Sequence, residues 1–188
     1  MSFNRRLVII PALAIMTVAM LIVPRIVASG QDQGAYKLEG AWIARVTSMD
    51  GVPAGTPLPF QWSYVLAPSA SGRRATIHAS VDVAFPQSIL AFDFASPIVG
   101  EMVQTGPDTV AFSSVWYHIV RSSPVDQIVL IGTVRGEGRI IASGQVEGTH
   151  HFAFYLPSAD TNGDGLPEGA PVATFDATTM DTRVPLGL

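Results

Sequence analysis

Asp160, Asn162 and Asp164 follow one another at a spacing of two in "DTNGDGLPEG", and Gly165 comes next. Side-chain oxygens at alternate positions wrap around one hard cation, and the glycine permits a sharp turn, as in the first half of an EF-hand-type loop. Leu166 would offer its main-chain carbonyl and Glu168, at the ninth position, a carboxylate. Where an EF-hand needs a bidentate Glu at position 12, the chain has Pro171. Calcium would therefore be held weakly, with a Kd of about 10⁻⁴–10⁻³ M, as in extracellular modules. A metal-free reading stays open, because Asn-Gly and Asp-Gly also make tight turns that need φ > 0.

Other chemistry is sparse. His150 and His151 are adjacent on an expected strand, so they point to opposite faces and cannot chelate one ion; His78 and His118 lie on other strands. There is no Cys, no Gly-x-Ser-x-Gly and no His-Glu-x-x-His, so a nucleophilic set could be assembled only by the fold. "RGEGRIIASG" lies between expected strands and does not open a helix, which argues against a phosphate cradle. No enzyme is expected on these grounds. If a cavity exists, Trp116, Tyr117 and His118 are the residues expected to line it.

The elements that would position these groups are strands. In "LEGAWIARVTS" Trp42, Ala44 and Val46 alternate with Ile43, Arg45 and Thr47, the period of a strand with one buried face. Phe60, Trp62, Tyr64 and Leu66 share a face, then "APSASGR" turns the chain into Ile77, Ala79, Val81 and Val83. Further runs are read at Ile98–Gln104, Thr109–Val120, Gln127–Arg135, Arg139–Glu147, Thr149–Leu156 and Val172–Thr178, with "TGPD" as a turn. Gly132, Gly136, Gly138, Gly144 and Gly148 are expected at bulges or barrel corners. Only Phe85–Pro97 could hold a helical turn, as a lid or cross-over. With no long 3.6-residue period, the fold expected is an all-β antiparallel up-and-down barrel of about eight or nine strands. Closure would remove the exposed edges that invite aggregation.

The N-terminus locates the barrel. Arg5 and Arg6 precede an uncharged, mostly apolar run from Leu7 to Pro24, and Arg25 is the only other charge before Gly30. Arginines of this kind stay in the cytoplasm, which places the rest of the chain outside it. Residues 1–29 read as a signal peptide or as a signal anchor forming one hydrophobic helix; 30–37 read as a tether and 38–188 as the barrel. The length of the run favours an anchor, whereas Pro24 and the small residues Val27-Ala28-Ser29 favour cleavage. The whole chain of 188 residues carries a formal charge of −4; beyond residue 29, eight basic residues face 15 acidic ones, a net −7. No basic stripe could follow a phosphate backbone, so nucleic acid is not an expected partner.

"LEGAW", "GEMVQTGPDTVAFSSVWY", "IGTVRGEGRII" and "DTRVPL" together resemble exported bacterial lipocalin-like proteins of the calycin type, over roughly residues 38–186. The resemblance implies that Arg183 packs over Trp42 at the barrel floor. The acidic loop also resembles a single thrombospondin-type-3 calcium loop, which implies that Glu168 helps close the site.

The function expected is that of a non-enzymatic extracytoplasmic barrel, held by its N-terminal helix as an accessory subunit of a membrane protein complex. "IVLIG", Ile128–Gly132, supports this: consecutive apolar residues want burial on both faces of the strand, and a barrel has one inside. A partner, the lipid surface or Phe85–Pro97 would cover the outer face. The alternative is a secreted or periplasmic barrel binding a small apolar ligand, and a cavity isomerase or cyclase comes third.

Overall fold

The alternation seen in the sequence becomes a meander of antiparallel strands. The computed structural model describes residues 38–56, 58, 61–69, 73–81 and 93–185. The strands are β1 (Gly40–Met49), β2 (Gln61–Pro68), β3 (Arg74–Val81), β4 (Phe94–Ala95), β5 (Ile98–Gln104), β6 (Thr109–Val120), β7 (Gln127–Ala142), β8 (Gln145–Tyr155) and β9 (Ala173–Arg183). The chain divides into two units, Met1–Gln33 and Gly34–Leu188, and every described residue belongs to the second. The expected N-terminal helix therefore lies outside the described residues, among which no helix is long and apolar enough to cross a membrane.

Eight strands close into a barrel. Taken in the order β1, β2, β3, β5, β6, β7, β8, β9, each pairs antiparallel with the next, and β9 returns to β1 with Trp42 opposite Arg183. The two-residue β4 stands outside this circuit and pairs with the end of β6 through Phe94–Ile119 and Ala95–His118. The described end of the expected lid, residues 93–97, is thus extended chain; residues 82–92 lie outside the described set.

The apolar residues that point inward form two clusters, one after the other along the strands. Trp42, Ala44, Tyr64, Leu66, Ile77, Met102, Val110 and Val146 belong to the first. Val46, Ile98, Trp116, Leu130, Val134, Phe152, Phe154 and Ala177 form the second, and Trp62, Ala79 and Phe112 pack against both. Inward pointing at period two makes each strand amphipathic, so closing the circuit buries one face of all eight at once.

Two expectations need correction. The chain does not turn near Gly136–Gly138: β7 runs unbroken from Gln127 to Ala142, and the turn comes at Ser143-Gly144, where Gly144 has φ +76°. Gly132, Gly136, Gly138 and Gly148 mark neither bulges nor corners; the ladder shifts register at Val46/Ser48, His118/Ile119 and Ile140/Ala142 instead. These glycines face inward to clear space. Gly132 lies opposite Trp116 and Gly136 opposite Phe112, and a Cβ on Gly132 would come 2.2 Å from the indole Cε2.

The outer face of "IVLIG" is covered in part. Ile131 packs outside the barrel with Ala153 and Tyr155, against Val115, Tyr117 and Ala159. Ala159 belongs to the 3-10 turn Pro157–Ala159 in the β8–β9 connection, and Tyr117 donates its hydroxyl to the Gly165 carbonyl at 3.1 Å. The chain's own loop thus covers Ile131, whereas Ile128, at the start of the same run, stays 46% exposed.

Candidate binding cavity

The inner wall leaves a cavity of about 60 Å³, or about 590 Å³ of atom-free space once its opening to solvent is counted. Its aromatic wall comes from Trp62 on β2, Phe112 and Trp116 on β6 and Phe152 on β8; Ile77, Ile98, Met102 and Val134 supply the aliphatic part. Short side chains make the room: Ala44, fully buried on β1, sits opposite both Trp62 and Asp181, and Ala79 stands in the wall itself.

Four polar side chains enter this apolar wall: Tyr64, Ser114, His150 and Asp181. Three of them belong to a buried polar chain. The Tyr64 hydroxyl donates to Asp181 Oδ2 at 2.7 Å, and Thr179, next to Asp181 on the inner face of β9, has its hydroxyl 2.9 Å from His150 Nε2. Burial pushes the Asp181 carboxyl up, while the Thr179 and Tyr64 hydroxyls pull it part of the way back. The phenol of Tyr64 is pushed far up, first by burial and then by the Asp181 charge, so it keeps its proton and remains a donor. Burial lowers His150 from 6.5 to about 4, and the ring is neutral at physiological pH. Its ring stacks on Phe152 at 5.9 Å and meets Trp62 and Phe112 at 5.1 and 4.8 Å.

One atom of this chain stands apart. Asp181 is 5% exposed, yet its Oδ1 accepts no hydrogen bond from the described residues. An unsatisfied buried acceptor costs about 1–3 kcal/mol, so one in a cavity wall is a candidate contact for a ligand. An apolar pocket with a few convergent polar groups and shifted pKa values is the usual form of a small-molecule site.

The residues singled out from sequence are distributed around this site. Trp116 lines the cavity. It donates its indole N–H to His118 Nε2 at 2.9 Å, which puts the proton of the neutral imidazole on Nδ1; burial lowers the pKa of this His118. Tyr117 points outward to the β8–β9 loop. Trp42 is fully buried, donates to the Leu38 carbonyl at 2.8 Å and lies parallel to Tyr64 at 6.3 Å. Arg183 pairs with Trp42 across β1 and β9, and its guanidinium lies against Gly40, where the missing side chain leaves a slot. His150 points in and His151 out, the latter 2.6 Å from Asp176.

The acidic loop joins β8 to β9 on the surface. Carboxylate oxygens of Asp160, Asp164 and Glu168 lie within 4.8 Å of one another. They also hold the loop's own backbone: Asp160 accepts from the Gly163 and Gly165 N–H groups, Asn162 from Asp164, Asp164 from Leu166, and Glu168 from Thr161. Gly163 and Gly165, at φ +77° and +87°, permit the tight path.

Sequence reasoning missed Tyr64, Thr179 and Asp181 as site residues. The readable signal was phase: Asp181 falls in step with Ala177 and Thr179 on a face that turns inward.

No family model matches the chain, and no curated protein matches it. Among solved structures, that of EF1p2_mFAP2b bound to DFHBI is similar over 81% of this chain and 98% of its own, with 17% identity and a TM-score of 0.47. The barrel assignment rests on the strand pairing described above.

Proposed function

We propose that the protein is an exported, lipocalin-like barrel that binds a small, largely apolar molecule in its interior. The observation that carries this reading is the cavity itself, apolar in its wall and entered by the Tyr64–Asp181 and Thr179–His150 pairs. The β8–β9 loop covers the outer face of Ile131 and so takes away part of the support for the accessory-subunit reading, although Ile128 stays exposed. Export rests on the charge and hydropathy of residues 1–29, whether they are cleaved or kept as an anchor.

Native mass spectrometry of the protein purified from its own cells tests the proposal. A small apolar compound should travel with it and be released on unfolding. Replacing Ala79 by Trp to fill the cavity should abolish that co-purification in a protein that still shows a β-rich circular dichroism spectrum. Retention of the same compound by this folded variant would place binding elsewhere and refute the proposal.

A further inference from the structure

Asp181 separates the classes of molecule the cavity would take. Its Oδ2 is occupied by the Tyr64 hydroxyl, whereas Oδ1, equally buried, accepts nothing from the described residues. We infer that Asp181 Oδ1 is the polar anchor of the cavity and that the occupant is a small uncharged alcohol with a flat apolar body. This inference rests on the cavity-binding reading above.

The chemistry excludes the neighbouring classes. A hydrocarbon would leave Oδ1 dry and unbonded. An anion would be stripped of water in a wall that holds no Lys or Arg to compensate its charge. An ammonium ion would need Asp181 ionised and both charges stripped of water, while burial favours the neutral carboxyl. A hydroxyl suits either state, because it donates to a carboxylate and accepts from a carboxylic acid. The rings of Trp62, Phe112, Trp116 and Phe152 favour a flat body, which edge and face contacts hold better than a branched one.

Benzyl alcohol and ethylbenzene test the inference, since they differ by a hydroxyl in place of a methyl group. Each is titrated into the purified full-length protein, followed by calorimetry and by tryptophan fluorescence. A wholly apolar cavity would favour ethylbenzene by on the order of a hundredfold, the desolvation of an unbonded hydroxyl. With Asp181 as anchor, benzyl alcohol should bind at least within tenfold of ethylbenzene and shift the ¹³C resonance of the Asp181 carboxyl, which ethylbenzene should leave in place. Asp181→Ala should move the preference toward ethylbenzene by tenfold or more. A larger than tenfold preference for ethylbenzene in the wild type, or an unmoved carboxyl resonance, overturns the inference and leaves the cavity reading standing. If neither probe binds, both fall. The wild-type measurements decide the matter even where Asp181→Ala does not fold.

Discussion

Replacing His150 by Phe should remove a defined part of the protein's acid sensitivity. In the native barrel the ring titrates at about 4, against 6.5 ordinarily, because burial among Trp62, Phe112 and Phe152 disfavours the imidazolium. As pH falls below 6.5, the unfolded chain therefore takes up a proton that the native state refuses. Stability that is complete above pH 6.5 is lost at up to about 1.4 kcal/mol per pH unit until the native ring also titrates, a total of about 3 kcal/mol by pH 4. Asp181 works in the opposite sense. Its raised pKa lets the native state hold a proton that the unfolded chain releases, so its contribution is greatest below 3.8 and is lost as pH rises through the raised native value. His118, lowered by burial, acts in the same sense as His150. Both remain in His150→Phe, so their effects largely cancel when the variant is compared with the wild type. Phenylalanine fits the aromatic surroundings and sacrifices the contact with Thr179, a cost that varies little with pH. Urea unfolding at pH 7, 6, 5 and 4, followed by tryptophan fluorescence, gives the stability difference at each pH. The wild type should lose about 3 kcal/mol relative to the variant over that range. A difference that stays flat would show that His150 is not held neutral by burial, and the account of the buried polar chain would fail with it.

Three other perturbations probe separate parts of the structure. Gly132→Ala should cost about 1–3 kcal/mol and lower Tm, because the new Cβ meets an indole held by His118, Phe152 and Phe154; an unchanged Tm would mean the wall yields freely. Tyr64→Phe keeps the ring stacked on Trp42 but takes the donor from Asp181 Oδ2, at a cost of about 1–3 kcal/mol in urea unfolding, and a loss below about 0.5 kcal/mol would deny that the bond matters. If the acidic loop closes on calcium at an extracellular-type affinity, about 5 mM calcium should stabilise the wild type by about 1–2 kcal/mol and leave Asp164→Ala unchanged; equal melting shifts would leave only the hydrogen-bonded turn.

How far the sequence spoke depended on whether a residue's surroundings were local. The alternation in β1 and the bounds of β5 and β6 were legible because one face of each meets the core, and "TGPD" marks the turn between the last two. β7 was misread because a glycine in a sequence looks like a turn; here Gly136 and Gly138 instead yield space to Phe112, Val110 and Val146 on neighbouring strands. The run Ile128–Gly132 announced two apolar faces but not the cover over Ile131, which a loop more than 20 residues later supplies, nor the exposure of Ile128. The cavity was less legible still. Tyr64 and Asp181 stand 117 positions apart and meet because β1 pairs with β2 on one side and β9 on the other, each bringing its inner face to Ala44. What the sequence did hold was an acidic residue in phase with an inward face, while Asp176, out of phase on the same strand, points to solvent and meets His151. Two aspartates on one strand thus divide by parity alone: one becomes a surface partner, and barrel closure turns the other into the polar end of a cavity.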